Sequence, residues 1–467
     1  MRDLLAVWAG KAALGLSRRL GHGGSSLPGK VALRIQPDLL TAYGKKLRRG
    51  SVVITGTNGK TTTARLLASA LRDAGLRLVH NRSGANLIPG LASAFLEQFV
   101  ENPAPPDVAL MEVDEAVFPD AVGRLRPVGV VVTNFFRDQL DRYGELDTTV
   151  SHVRRGLEAM AGEGFVALNA DDPLVAYLGR GLRGRVTYYG VDDVRVGTKE
   201  MTQTREQRQC LVCGRILDYD VFYYSHLGDY RCPGGDFSRP PLTLKATDVA
   251  LDGALGADFT LRGGGPRDLR VTVPVPGLYN VYNGLAALAA AIMLGIPVER
   301  AVSSVAEAAP SFGRMERIAM DDREILMALV KNPTGYNQVL STLLGQASDA
   351  RPRWFLMALN DKYADGTDIS WIWDVDFEAM AARESAVAGV VASGTRSHEL
   401  ALRLKYAGLP AAKIACVPSL SEALDRTLGS VPTGGTLYVT PTYTAMLELR
   451  NVISRRGYAP QFWEGEV

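Results

Sequence analysis

Two glycines, a lysine and a row of hydroxyls follow an apolar stretch in Val52-Val-Ile-Thr-Gly-Thr-Asn-Gly-Lys-Thr-Thr62, the combination that grips a phosphate. The apolar run is a buried strand, the Gly-rich turn a loop, and Lys60 opens a helix. Gly56 and Gly59 let the backbone fold tightly, so that successive N–H groups and the helix N-terminus face an anion, while Lys60 adds a mobile positive charge. Thr61 is placed to hold Mg²⁺. The loop is about two residues tighter than the general Walker pattern, so spacing alone leaves several ATPase families open. Gly56, Thr57, Asn58, Gly59, Lys60, Thr61 and Thr62 are the expected nucleotide-binding residues.

A phosphoryl-transfer site also needs carboxylates beside such a loop. Glu112, Asp114 and Glu115 follow the apolar strand Ala109–Met111, and Asp138 and Asp141 follow a strand ending at Thr133. Those are carboxyl ends of strands, where open α/β sheets bind ligands. Glu112 is the first choice for Mg²⁺, whereas Glu115 and Asp141 read equally well as a solvated acidic loop. Three of the four cysteines form a second group, Cys210-Leu-Val-Cys213 and Cys232-Pro-Gly-Gly235, with zinc-ribbon spacing. Gly235 stands where a fourth thiol would be. Asp236, His226, water or Cys416 are left to complete a zinc site, unless the ribbon has lost its metal. His22, His80, His152, His226 and His398 are scattered, as structural or surface residues are. Cys416, in Ala-Lys-Ile-Ala-Cys-Val-Pro, reads as a buried strand, so no nucleophilic cysteine is evident.

The elements that must position these residues are α/β. The helix from Thr61 to Ala74 closes at Gly75, Ala109 to Val113 and Val128 to Thr133 are buried strands, and their alternation implies a doubly wound sheet. Polar residues, cysteines and aromatics interrupt that rhythm over 194–241, the mark of an inserted ribbon. Antiparallel strands follow over 242–276, then an Ala-rich helix over 286–294, and a second α/β rhythm from about Glu316. Expected domains are an N-terminal segment (1–50), a central nucleotide-binding domain (51–313) and a C-terminal Rossmann-like α/β domain (314–467). With 467 residues and a net charge of +2, nucleic acid has little electrostatic claim on the chain. Near the N-terminus, Leu4, Leu5, Trp8, Ala12 and Leu16 recur at helical spacing, which predicts a helix packed on the domain, with a membrane foot as the alternative. The run is too short to span a bilayer and shows no cleavage-site pattern, so a cytoplasmic protein is expected, with peripheral association at the inner membrane face if its substrate lies there.

Gly56-Thr-Asn-Gly-Lys-Thr-Thr62, Asn169-Ala-Asp-Asp172-Pro, Gly277-Leu-Tyr-Asn280-Val-Tyr-Asn283 and Gly313-Arg314-Met-Glu316 occur in that order. Together they resemble the Mur ligase superfamily. The resemblance implies ATP and Mg²⁺, with Asn283 near the adenine, Asn280 among the nucleotide-binding residues and Arg314 reaching the phosphates from the C-terminal domain. About fifty-five residues precede the loop, too few for the usual UDP-binding domain. Gln139 stands where the amino-acid-adding enzymes carry a metal-binding histidine, and Arg154 falls near their carbamoylated lysine. Arginine cannot form that carbamate.

Met111-Glu-Val-Asp-Glu-Ala116, Leu329-Val-Lys-Asn332-Pro333, Asn360-Asp-Lys-Tyr-Ala-Asp-Gly366, Ser370-Trp-Ile-Trp-Asp374 and Tyr438-Val-Thr-Pro-Thr-Tyr-Thr-Ala-Met446 are similar to the MurT-like branch of that superfamily. The branch implies an ATP-dependent carbon–nitrogen ligase of peptidoglycan synthesis that amidates the α-carboxyl of D-isoglutamate in lipid II through an acyl phosphate. It also implies a GatD-like glutamine amidotransferase partner that supplies ammonia, and whose triad this chain completes with an acid. Asp374 is the candidate, with Asp368 and Asp376 as rivals, because an orienting carboxylate needs a rigid, partly buried mount. Asn332 is either a turn residue or a nucleotide or substrate contact; Asp361 and Asp365 either cap loops or face substrate. A folylpolyglutamate-synthase-like ligase and a non-catalytic nucleotide-binding scaffold are the competing readings.

Overall fold

The computed structural model describes residues 2–19, 26–81, 85–101, 105–138, 146–160, 162, 164–199, 209–252, 256–308, 313–345 and 351–460. Gln139 and Asp141 lie outside them. Strands β1 (Ser51–Thr55), β3 (Val108–Glu112), β4 (Gly129–Val132) and β5 (Phe165–Asn169) are buried along their whole lengths, as apolar runs must be when both faces of a parallel sheet are covered. With β2 (Leu78–His80), β6 (Arg185–Val191), β9 (Leu244–Asp252), β10 (Gly256–Arg262) and β11 (Leu269–Val273) they make one sheet, in the order β11-β10-β9-β6-β5-β4-β1-β3-β2. β2 through β9 in that order are parallel, and β10 and β11 are antiparallel additions. The Cys-rich segment leaves after β6 and returns at β9, its neighbour in the sheet. Between them it forms the hairpin β7 (Asp218–Tyr224) and β8 (Leu227–Arg231).

Helices cover both faces. The phosphate loop leads from β1 into α4 (Lys60–Asp73), against which α9 (Leu278–Met293) and α10 (Val298–Ala306) pack. α9 begins earlier than its alanine content alone marks, at Gly277, whose φ of 102° ends the preceding chain. The other face carries α1 (Arg2–Arg19), α2 (Leu27–Ile35), α3 (Leu39–Gly44), α5 (Ile88–Glu101) and α6 (Phe118–Leu125) in one core. α7 (Leu146–Glu158) and α8 (Pro173–Leu178) complete it. The sequence expectation for α1 is corrected here. Ala6, Gly10 and Leu14 are its buried face, while Leu5, Trp8 and Ala12 are exposed. Gly10 lies against Leu96 and the Pro28 carbonyl, an approach that only a small residue permits. The side chains of Leu4 and Leu16 lie outside the described ones.

The second sheet is β12 (Arg314–Met320), β13 (Arg323–Ala328), β14 (Arg353–Ala358), β15 (Val387–Ser393), β16 (Ile414–Cys416) and β17 (Thr436–Pro441), ordered β12-β13-β17-β14-β15-β16. All but β12 run parallel. β17 enters between β13 and β14, an order unlike the paired halves of a dinucleotide-binding fold. Cys416 is on a strand, as expected, but β16 is an edge and the cysteine is exposed. α11 (Pro333–Leu344) follows β13 and faces the phosphate loop.

Candidate functional site

The loop between β1 and α4 is held by the segment that follows β4. Thr57 N–H donates to the Asn134 carbonyl at 2.8 Å, Asn58 N–H to Asn134 Oδ1 at 2.9 Å, and the Thr57 hydroxyl to the Phe136 carbonyl at 3.2 Å. Thr57 is thereby turned inward. Both glycines are required by close approach. A Cβ on Gly56 would lie 2.3 Å from Thr133 Oγ1, and one on Gly59 2.1 Å from Asn283 Oδ1, at φ values of 120° and 88°.

Lys60 is buried at the base of this loop. Its ammonium donates to the Gly56 carbonyl at 2.5 Å and pairs with Glu115 at 3.3 Å. Burial opposes its charge, but Glu115, Asp114, Glu112 and Asp138 outweigh that and hold its pKa above the ordinary lysine value. Glu115 is thus no solvated loop residue: it is 6% exposed and sits opposite Lys60.

Thr61 Oγ1 donates to Glu112 Oε2 at 2.8 Å. A hydroxyl and a carboxylate, both oxygen donors, meet one residue from Lys60, and a hard divalent cation fits that pair. Asn81 fixes Glu112 from behind, donating to its carbonyl at 2.8 Å and accepting its N–H at 2.9 Å. Asn283 bonds Asn280 at 2.8 Å, and Asn280 donates to the Pro276 carbonyl at 2.7 Å. These two amides line one cavity with Asn58, Gly59, Thr62, Arg314 and Lys331. Its wall includes the apolar surfaces of Phe136, Tyr224, Val275 and Tyr279, suited to a flat aromatic base.

Both sheets contribute to that cavity. Asn332 caps α11, accepting the Gly335 N–H at 2.8 Å, and exchanges amide hydrogen bonds with Asn58 of the phosphate loop at 3.0 and 3.3 Å. Lys331 pairs with Asp138 at 2.6 Å. Neither Lys331 nor this cross-sheet pairing was singled out in the sequence; the partners are 274 and 193 residues apart. Arg154 does not join the site. It stacks on Tyr177, 5.0 Å from the ring centre, and pairs with Glu158.

The cysteine hairpin brings three thiols together. Ligand atoms of Cys210, Cys213 and Cys232 lie within 4.8 Å of one another, and Cys213 and Cys232 are 3.4 Å apart. Val212 N–H donates to Cys210 Sγ at 3.4 Å and Gly234 N–H to Cys232 Sγ at 3.3 Å. The second knuckle keeps its backbone geometry without a fourth cysteine. Asp236 Oδ2 is 3.8 Å from Cys232 Sγ, so a soft thiolate set with an adjacent carboxylate fits a zinc ion. His226 and Cys416 leave the choice of fourth ligand. His226 is wholly buried with Nε2 3.2 Å from Asp172 Oδ1, and Cys416 belongs to the other sheet.

That histidine is one of several ties between hairpin and sheet. Asp172 caps α8 and accepts the Phe135 N–H at 2.8 Å, while buried Asp171 pairs with Arg239 at 2.8 Å and accepts from Tyr282 at 2.7 Å. Desolvation pushes the Asp171 carboxyl up to about 6, against the pull of Arg239. Between about pH 4 and 6 the folded chain therefore keeps a proton that the unfolded chain has released. Its stabilisation is full below about pH 4 and is lost as pH rises through 6, a change of about 3 kcal/mol. Urea midpoints between pH 4.5 and 6.5 should fall less steeply with rising pH in Asp171→Asn than in the wild type; equal slopes would refute this.

Asp374 ends a 3-10 turn over Ser370–Asp374, in the C-terminal domain. Its mount is rigid as expected: Arg403 donates to the carbonyls of Ile372 at 3.3 Å and Val375 at 2.7 Å, and sits against the Trp373 and Phe377 rings. The expected partial burial is not found, because Asp374 is exposed beside Trp373, itself 51% exposed and in edge contact with Tyr406. Its rivals are engaged locally. Asp368 accepts the Ser370 N–H at 2.8 Å and Asp376 the Ala379 N–H at 3.2 Å. Asp361 pairs with Arg396 at 2.7 Å and Asp365 accepts the Thr444 N–H at 2.7 Å, so both brace loops.

Residues 54–224 match the model of the Mur ligase middle domain, and 329–446 that of the MurT ligase C-terminal domain. The chain is 31% identical over 458 residues to the lipid II isoglutaminyl synthase (glutamine-hydrolyzing) subunit MurT of Staphylococcus aureus, covering 97% of this chain and 98% of the relative. It is 33% identical to the same subunit from Streptococcus pneumoniae, with 98% of each covered. Among solved structures it resembles a pseudomurein peptide ligase type C from Methanothermus fervidus (TM-score 0.65, 24% identity, 87% and 79% covered) and a folylpolyglutamate synthase from Mycobacterium tuberculosis (TM-score 0.60, 16% identity, 90% and 93% covered).

Proposed function

The chain belongs to the MurT family, a branch of Mur-ligase-fold, ATP-dependent ligases, and from that premise we propose that it is the synthetase half of an amidating enzyme. Its substrate is the α-carboxyl of D-isoglutamate in the lipid II stem peptide, and its nitrogen comes from a separate GatD-like glutaminase. The single observation that carries this reading is one cavity where Asn58, Gly59 and Asn283 of the first sheet's domain meet Arg314 and Lys331 of the second, beside the Lys60–Glu115 pair and the Thr61–Glu112 hydrogen bond. The substrate carboxylate attacks the γ-phosphorus of ATP, the bond to ADP breaks, and an acyl phosphate forms. Ammonia then attacks the acyl carbon, phosphate leaves with the bonding pair, and a proton is lost to solvent. Lys60 and Arg314 neutralise the phosphate charge, and Asn280 and Asn283 orient the base. Thr61 and Glu112 would hold Mg²⁺, which when bound supplies further charge neutralisation at the phosphates.

Mass spectrometry of lipid II tests the whole reading. Amidation is expected with ATP and ammonium from this chain alone, and with glutamine only when the glutaminase is added. Glutamate addition to a folate instead, or no turnover in any mixture, would replace this reading by one of its rivals. The metal expectation is separate: the purified chain should carry about one zinc per molecule by elemental analysis, through Cys210, Cys213, Cys232 and Asp236. Cys213→Ser should abolish the zinc, and Asp236→Asn should weaken its retention against a chelator. A metal-free wild-type chain purified under reducing conditions would refute it.

A further inference from the structure

We propose that the paired helices α1 and α2 form a docking surface for an anionic membrane, holding the ligase at the bilayer that carries its lipid-linked substrate; the inference rests on the function proposed above. Its apolar part is already in place. Leu5 and Trp8 on α1 and Leu27 on α2 are 61%, 68% and 50% exposed. The face Ala6, Gly10, Leu14 is the one spent on packing, which leaves Leu5 and Trp8 outward.

One junction ties the two helices to α5. Gly10 meets Leu96 and the Pro28 carbonyl, and Gly29 backs onto Pro89 and Ser93 in the first turns of α5. Just before α5, Leu87 is 46% exposed and the Asn86 carbonyl accepts the Asp114 N–H. The junction therefore adjoins the acidic segment after β3, at the end of the sheet where the phosphate loop lies.

Charge selects the occupant. The described side chains of α1 and α2 include Lys11, Lys30 and Arg34 and no acid, within a segment, 1–50, that holds ten Lys and Arg against two Asp while the rest of the chain holds forty-two against forty-eight. The whole molecule is nearly neutral only because a basic segment is joined to an acidic remainder. Lys30 and Arg34 of α2 are exposed beside the apolar residues. Exposed Trp and Leu side chains with basic neighbours suit the headgroup boundary of an anionic membrane. No described helix is long and apolar enough to cross a membrane, so attachment would be at the surface.

The full chain should co-sediment with vesicles containing phosphatidylglycerol, several-fold better than with phosphatidylcholine alone, and less at high salt. Leu5→Ser with Trp8→Ser should cut that binding at least tenfold while the thermal midpoint and ATP turnover stay unchanged, since neither side chain packs in the core. Lys30→Glu with Arg34→Glu should remove the preference for anionic lipid. Equal sedimentation of wild type and Leu5/Trp8 variant, or none by the wild type, would overturn the proposal. So would variants that bind vesicles normally but lose the glutaminase, which would assign the face to a protein. Amidation of lipid II in detergent micelles separates the two claims: wild type active in micelles but indifferent to vesicles sinks the docking surface alone, while vesicle binding without amidation sinks the function alone.

Discussion

Lys60→Met is expected to lower ATP-dependent amidation by about 10³-fold, because removing a positive group aimed at developing phosphate charge costs on that order. The same substitution also strands the Glu115 carboxylate, 6% exposed and 3.3 Å from the lost ammonium. Breaking a buried pair from one side costs about 3–5 kcal/mol, so loss of activity alone would be ambiguous. Adding Glu115→Gln removes the stranded charge and should restore most of the thermal midpoint while leaving turnover at the low level. Glu115→Gln alone should fold. Single-turnover measurements of acyl-phosphate formation would locate its defect in chemistry or in nucleotide binding. A Lys60→Met enzyme that folds and amidates within tenfold of wild type would remove the phosphate loop from the proposed chemistry.

Asp374→Asn should cut glutamine-dependent amidation by roughly 10³- to 10⁴-fold, the scale seen when an orienting carboxylate in a triad becomes an amide, and leave ammonium-dependent amidation unchanged. The split between nitrogen sources is what makes the test specific. A residue needed for folding or for ATP would depress both reactions. Asp374 is exposed on a turn that Arg403 braces from both sides, beside Trp373 and the Tyr406 ring that Trp373 contacts, which are 51% and 71% exposed. Exposed aromatic residues beside an exposed carboxylate suit a site completed across an interface. Asp368→Asn and Asp376→Asn should affect both nitrogen sources alike and weakly, since each carboxylate only caps a local turn. If Asp374→Asn leaves the glutamine reaction intact, the acid lies elsewhere.

The phosphate loop was legible because its chemistry is local: glycines, lysine and threonine act within a few residues of one another. The same holds for Glu112 at the end of its strand. Glu115 was ambiguous because its burial depends on Lys60 in a different element, and nothing in Asp114-Glu115-Ala116 distinguishes a buried acid from a solvated one. Asn58 with Asn332 and Lys331 with Asp138 were invisible as pairs, since each joins positions that only the closing of two sheets brings together. The face of α1 was read the wrong way round for a different reason. Apolar periodicity finds the stripe with the most hydrophobic surface, but the packed stripe is the one centred on Gly10, where Leu96 and the Pro28 carbonyl leave no room for a side chain.

β6 and β9 are parallel, hydrogen-bonded neighbours, so the cysteine hairpin between them is a detour in the chain and not a link in the sheet. A detour can change length, gain a ligand or lose one without shifting the register of any core strand. Gly235 in place of a fourth thiol is the kind of change such a segment tolerates. The limit on that freedom is set where the detour touches down, at Asp171 and Asp172, because Asp172 also holds Phe135 behind the phosphate loop. Variation among related chains should therefore be wide at the metal end of the hairpin and narrow at these two carboxylates.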